Sequence, residues 1–438
     1  MGDPAVEFSK DQLGLREIQY SEAPVSRVMP KNSVSENDNG INFVHPASEL
    51  RRVMRDVLQP RDEQAFCFLD EGRLRTRVAL YRENFLPDLA ERRISYAMKA
   101  NPKRRILEIL VEEGLDGFDC ASITEVREAL SFVNSRGVYF NHPIKKTSAI
   151  REARDYGVTY FTAQSSQGIQ RIMDSDPSAV SSSQLEIALR VAMTNENAAI
   201  DLSSKYGCLP DEVKHLVQEI RDSGAKASFA MNTGSQNSEV QSYCDGIELL
   251  AKLAEKNGKV NSVNLGGGLP INYFNHDHHD LKEYLRRISE SVRANVHRIL
   301  RYTEDEGRII IEPGRSMIAD SVDLVIPVLE IDERSGEKRA YIDDGVFTSF
   351  SDRVVHKWPY KYDVYMSDGR PASPSQRTHT LYGRTCDSGD VLGKVELPDN
   401  LRVGDYLWLK NAGAYMDSQT TQFNGFEPPQ YVSYNSNS

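Results

Sequence analysis

The feature that most constrains this chain is a rhythm: from about Phe66 to Val328, short runs rich in β-branched and aromatic residues alternate with longer helical patterns. The strand-like runs are Ile94 to Met98, Gly137 to Phe140, Tyr160 to Thr162, Glu186 to Val191, Ala227 to Met231, Ser262 to Leu265 and Arg308 to Ile311. Between them Ile106 to Glu113, Ile123 to Ser131 and Val240 to Asn257 carry apolar residues at helical spacing opposite charged ones. Such alternation builds βα units on a parallel sheet. Seven or eight units in about 260 residues predict a closed, TIM-like (β/α)8 barrel rather than a doubly wound sheet.

After about Leu324 the texture changes to strands and turns, with Arg339 to Asp343, Thr378 to Tyr382, Asp405 to Leu409 and Gln430 to Tyr434 as examples, and this predicts a second, mainly β domain. The chain is divided accordingly into a polar extension over 1–42, a lead-in segment over 43–65 that packs with the β domain, a barrel over 66–328 and the β domain over 329–438. A net charge of −11 without any long basic run argues against a general nucleic-acid binder and favours a small-molecule ligand. The N-terminal stretch is polar and has no apolar run of the length a secretory signal or a membrane span needs. Five widely spaced cysteines with no CxxC pair predict a reducing, cytoplasmic setting. His276, His278 and His279 are irregularly spaced, with no cysteine or paired acid beside them, so they read as a solvated loop and no metal site is expected.

Three strand ends carry chemistry. Lys99 closes the run Ser95-Tyr96-Ala97-Met98 and is followed by Ala100-Asn101-Pro102, which places it at the C-terminal mouth of a barrel. On position alone, a solvated lysine is the simpler reading. Leu265-Gly266-Gly267-Gly268-Leu269-Pro270 ends another strand in a turn whose backbone can approach a phosphate closely. Ile309 to Ile311 leads into Glu312-Pro313-Gly314-Arg315, which offers a carboxylate for a protonated pyridine nitrogen and a guanidinium for a phosphate, although a mutual surface ion pair is the plain alternative. Together these groups meet the requirements of a pyridoxal phosphate site.

At this point the sequence resembles the fold-type III decarboxylases of ornithine, diaminopimelate and arginine, from about Ala65 to about Val432, with the nearest likeness to the ornithine enzymes. The resemblance implies an alanine-racemase-like architecture, a barrel plus a C-terminal β-sandwich or β-barrel domain. Tyr96-Ala97-Met98-Lys99-Ala100-Asn101 matches the family's cofactor-lysine motif and implies that Lys99 is the Schiff-base residue. By the same resemblance Asp119 lies near that lysine and the ring, and Arg190 near the ring edge. Ser235 and the turn Gly266, Gly267 and Gly268 bind phosphate, Glu312 pairs with the pyridine nitrogen, and Gly314, Arg315 and Tyr415 serve the phosphate. Thr385-Cys386-Asp387-Ser388-Gly389-Asp390 resembles the Cys-Asp motif, which implies Cys386 as the acid that protonates the product carbon and Asp387 as a partner of the substrate's distal cation. Without the resemblance, Cys386 reads as a buried structural thiol. The family's shared sites imply a head-to-tail homodimer.

The chain also departs from that pattern. Asn232 stands where the family has a histidine stacked on the ring, and His356, with Asp352 four residues before it, stands where an aspartate grips the distal amine. Arg384 replaces a common proline. Retention of Asp387 favours a basic L-amino acid or a conjugated diamino acid as substrate, and the lost aspartate weakens the case for plain ornithine. The two other readings are an amino-acid racemase on the same fold, which the carboxylate at Glu312 disfavours, and an inactive regulatory homologue, which retention of Lys99, Arg315 and Cys386 disfavours.

Overall fold

The computed structural model describes residues 63–175, 181–193, 195, 198–200, 203–273, 279–301, 307–351 and 360–434. The N-terminal extension, most of the lead-in segment, His276, His278, Asp352 and His356 lie outside them.

The first strand, β1 (Phe66–Asp70), is buried throughout, but it does not enter the barrel. Its neighbours are two strands of the second domain, and the barrel's own first strand is β2 (Arg92–Ala97). The expected start of the barrel at residue 66 is therefore corrected. Burial on every side gives β1 the same continuous apolar character as a barrel strand, so sequence patterning cannot separate the two. The link from β1 into the barrel is the helix Glu71–Asn84, N-capped by Asp70, whose side chain accepts the N–H of Arg73.

From β2 the chain runs through β3 (Gly117–Cys120), β4 (Val138–Phe140), β5 (Tyr160–Ala163) and β6 (Glu186–Arg190). A short β7 (Ala198–Ile200) then precedes β8 (Lys226–Ala230), β9 (Ser235–Asn237), β10 (Ser262–Asn264) and β11 (Arg308–Ile311). Eight of these strands, β2 to β6, β8, β10 and β11, close into a parallel barrel, while β7 and β9 form a separate antiparallel pair. The predicted barrel is thus present. The eighth strand, β3, is four residues long and was legible only as a motif. Gly117 at its start is required because a Cβ there would stand 2.2 Å from the carbonyl oxygen of Gly137, so only glycine lets β4 approach this closely.

The barrel interior is packed with side chains. Tyr139 and Tyr160 meet edge to face with centroids 5.1 Å apart, alongside Ala188, Ala230 and Ile310. Near the strands' N-terminal ends Arg308 lies against both tyrosine rings and pairs with buried Glu186, which also accepts a hydrogen bond from Ser228 Oγ at 2.7 Å. The closed floor leaves the opposite mouth as the place for chemistry.

The second domain is an eight-stranded mixed sheet that includes β1. Its spine, β12 (Val322–Arg334), pairs through its first residues with β1 and with β17 (Tyr406–Leu409), and through its later residues with β13 (Glu337–Ile342). The register shifts between Val328 and Glu330, so one strand serves both halves of the sheet. Past the barrel the sheet resumes at Val322, a few residues before the expected boundary. The remaining strands are β14 (Asp363–Tyr365), β15 (Gln376–Tyr382), β16 (Val391–Pro398) and β18 (Gln430–Tyr434). Among the described residues no helix is long and apolar enough to cross a membrane.

Candidate active site

Lys99 sits in a single 3-10 turn, Met98–Ala100, directly after β2. The turn is fixed by Asn101, whose Nδ2 donates to the carbonyl of Gly413 at 2.9 Å and to Tyr431 Oη at 2.8 Å, both in the second domain. Tyr415 N donates to the carbonyl of Ala100 at 2.7 Å, so the loop carrying Tyr415 is laced to the segment carrying Lys99. Lys99 Nζ lies 3.0 Å from Asp119 Oδ2, and Asp119, on β3, is 3% exposed. The charge of Asp119 is the main influence that holds the Lys99 ammonium above the usual lysine range, against the opposing effect of burial.

Glu312 follows β11 and is buried. Its Oε1 accepts N–H donors from Asn141, just beyond β4, and from Asn264 at the end of β10. Among the described residues no hydrogen bond reaches Oε2. Burial first, and then the charge of Asp119, push the Glu312 carboxyl up to about 8, while Lys99, Asn264 and Arg190 pull it down. Arg190, at the end of β6, lies over the ring of Tyr206 with 5.0 Å from guanidinium to centroid.

The glycine turn after β10 commits its carbonyls to the scaffold. The Gly266 carbonyl accepts the N–H of Glu312 at 2.9 Å, that of Gly267 accepts Tyr243 Oη at 2.7 Å, and that of Gly268 accepts the N–H of Asn237 at 2.9 Å. The N–H groups of Gly267 and Gly268 have no partner among the described residues and remain as donors. No side chain could replace these glycines, because a Cβ at Gly267 would meet the Glu312 carbonyl oxygen at 2.5 Å and one at Gly268 would meet that of Gly234 at 2.1 Å. Asn232 Oδ1 accepts the N–H of Gly234 at 2.9 Å and closes the turn that leads to half-buried Ser235. Arg315, also buried, donates from Nη1 to Tyr273 Oη at 2.8 Å and lies 4.7 Å from the ring centroid of Tyr415. A Cβ added at Gly314 would lie 3.5 Å from Tyr415 Oη, which puts the phenol beside the turn that leads into Arg315.

An amine beside a carboxylate, a buried acid with one oxygen occupied, and a glycine turn with unspent N–H donors near an arginine fit the aldehyde, ring nitrogen and phosphate of pyridoxal phosphate. The comparisons agree. A family model described as "Pyridoxal-dependent decarboxylase, pyridoxal binding domain" matches residues 71–319, more than half of the chain, and the chain belongs to that family. It is 28% identical over 340 residues to a lysine/ornithine decarboxylase of Selenomonas ruminantium, covering 76% of this chain and 81% of that protein. It is also 28% identical over 403 residues to antizyme inhibitor 2 of Xenopus laevis, covering 86% and 82%. Among solved structures, an SrLDC mutant in complex with PLP superposes with a TM-score of 0.77 at 25% identity, covering 90% of this chain and 96% of that one. The arginine decarboxylase of Paramecium bursaria Chlorella virus bound to agmatine, at 22% identity and a TM-score of 0.77 over 88% and 100%, shares the fold.

Lys99, Asp119, Arg190, Asn232, Ser235, Gly266 to Gly268, Glu312, Gly314, Arg315 and Tyr415 all occupy strand ends or turns at the barrel mouth or the loop laced to it. Cys386 and Asp387 do not join them. Cys386 is exposed, which removes the reading of a buried structural thiol, and its N–H donates to Asn424 Oδ1 at 3.0 Å. Asp387 Oδ1 accepts the N–H of Gly389 at 2.7 Å. Among the described residues neither side chain makes a contact with Lys99, Glu312 or Arg315. Their loop is built around buried Asp390, which accepts the N–H of Val346 and both the N–H and the hydroxyl of Thr385. Arg384 anchors the loop through Asp343 at 2.7 Å and stacks on Phe426 at 4.7 Å, a task the family's proline could not perform. Reading the sequence missed Asn141, Asn264, Tyr206 and Tyr273. The first two could have been found as polar residues at the ends of apolar strands.

Proposed function

We propose that this protein decarboxylates a basic L-amino acid, or a conjugated diamino acid, to the corresponding amine and carbon dioxide. The observation that carries the reading is the placement of the Lys99–Asp119 pair and the Glu312 carboxyl at one barrel mouth, beside a glycine turn with free N–H donors. Lys99 is the amine that holds the cofactor, and Asp119 keeps that amine oriented. The N–H groups of Gly267 and Gly268, with Ser235, Arg315 and Tyr415, bind the phosphate. Glu312, through Oε2, would pair with the ring nitrogen of the bound cofactor and hold that nitrogen's proton. Bound pyridoxal phosphate supplies the sink for the electron pair left behind by the departing carboxylate.

The second half of the site comes, on this reading, from another copy of the chain. Cys386 Sγ gives a proton to the product carbon, and Asp387 pairs with the substrate's distal cation. Exposure of both residues, neither of which contacts Lys99 among the described residues, supports a head-to-tail homodimer with shared sites. His356 and Asp352 are assigned to the substrate's distal end, and Asn232 to the ring face. All five cysteines are free thiols, which supports a cytoplasmic setting.

The test is release of carbon dioxide from L-ornithine, L-lysine, L-arginine and their conjugates with added pyridoxal phosphate. Release from at least one supports the reading. Retention of the carboxylate with loss of chirality would indicate a racemase. Cofactor binding without turnover of any of them would favour a regulator related to antizyme inhibitor 2.

A further inference from the structure

The two asparagines on Glu312 belong to none of the motifs that point to the cofactor. Both turn the amide nitrogen toward the same carboxylate oxygen. Asn264 Oδ1 accepts the backbone N–H of Gly266 at 2.9 Å, and a backbone amide can only donate, so the Asn264 nitrogen must face Glu312. Asn141 is turned the same way in the structure, with Nδ2 toward Glu312 Oε1 and Oδ1 accepting the hydroxyl of Thr162, on β5, at 2.9 Å. Asn141 follows β4 and Glu312 follows β11, strands separated by β2 and β3 in the closed barrel, so this contact crosses the mouth instead of joining neighbours.

A carboxyl can carry its proton on either oxygen. Two amide donors on Oε1 exclude a proton from that oxygen, because donor would face donor. We propose that Asn141 and Asn264 are positioning residues that lock Glu312 Oε1 as an acceptor, make Oε2 the sole oxygen that holds or yields a proton, and favour the anionic carboxylate. This rests on the reading above, in which Oε2 would pair with the ring nitrogen of the bound cofactor. The groups around the carboxyl pull in both directions: Lys99 after β2 and Arg190 on β6 favour the anion, while burial and Asp119 on β3 oppose it. The phenols of Tyr160 on β5 and of Tyr243 on the helix Gln241–Asn257 are near enough to feel its charge. The asparagines pull toward the anion and offset part of the effect of burial, since donors to a carboxylate stabilise its charged form.

The experiment is a pH titration of the protonated carboxyl stretch by difference infrared spectroscopy on the full chain, first without cofactor and then loaded. Glu312→Gln identifies the band. Each of Asn141→Ala and Asn264→Ala should move the midpoint upward by about one pH unit, roughly tenfold in the proton equilibrium, and the acid limb of the loaded protein's visible absorbance should move the same way. Asn264 is buried and its variant risks misfolding, so the half-buried Asn141 carries the test, with thermal melting as the check on fold. A folded Asn141→Ala protein whose Glu312 titrates as in the native chain overturns the inference. Failure of the reading that pairs Glu312 with the ring nitrogen has a separate signature: Glu312→Gln would release carbon dioxide at the native rate, whatever the asparagine variants do to the band.

Discussion

Lys99 Nζ stands 3.0 Å from Asp119 Oδ2, in a pair whose carboxylate is buried and whose lysine side chain keeps 49% of its surface open to the mouth. The acid is held by the fold and the amine is left accessible to a ligand. Because Asp119 is the main cause of the raised Lys99 pKa, Asp119→Asn should lower it. The pH at which pyridoxal phosphate is captured at half its maximal rate, followed by absorbance, should fall by about one unit or more. An unchanged midpoint would remove Asp119 from the site.

Gly268 has φ +119° and no room for a Cβ. Gly268→Ala should weaken pyridoxal phosphate binding by roughly tenfold or more, about 1.4 kcal/mol, beyond any loss of fold stability. Gly336→Ala is the control, since its φ of +79° imposes similar backbone strain but none of the described residues lies within 4 Å of the added Cβ. That variant should leave cofactor affinity unchanged. Equal effects from both substitutions would mean that strain alone, and not the phosphate turn, sets affinity.

Glu312 gives a pH dependence with a definite sign. Its carboxyl in the folded, cofactor-free protein is pushed up from 4.5 to about 8. Between those values the folded state binds more protons than the unfolded one, so this group lowers stability as pH rises from about 4.5 to about 8, and the whole cost is present above that. Glu312→Gln removes the cost. Chemical denaturation of the cofactor-free proteins should give nearly equal stabilities near pH 4, with the variant ahead above pH 8 by an amount on the order of a few kcal/mol. A difference that does not change with pH contradicts the burial argument.

The barrel was legible because strands such as Arg308–Ile311 and Glu186–Arg190 are bounded apolar runs that keep the same character in any surroundings. Lys99, Glu312 and the glycine turn were legible because their motifs are contiguous in sequence. What escaped was long-range. β1 reads as a barrel strand, and only its pairing with Val322–Arg334 and Gln430–Tyr434 assigns it to the second sheet. Asn141 and Asn264 are unremarkable until the closed barrel brings both to one oxygen of Glu312. Arg384 looked like a simple departure, whereas the fold gives it Asp343 and Phe426 as partners.

If each site takes Lys99 from one chain and Cys386 from another, two inactive variants can complement each other. Lys99→Ala and Cys386→Ala proteins, mixed in equal amounts and allowed to exchange subunits, should recover about a quarter of native activity. Half of the dimers would be mixed, each with one complete site. No recovery, with exchange verified by mass, would place Cys386 and Lys99 of the same chain in one site.

The most direct measurement is borohydride reduction of the protein loaded with pyridoxal phosphate, followed by peptide mass mapping. The account predicts one reduced adduct, on the peptide carrying Lys99, with the visible absorbance lost in the same step. An adduct on another lysine, or none at all in a protein that still releases carbon dioxide from a basic amino acid, would contradict it.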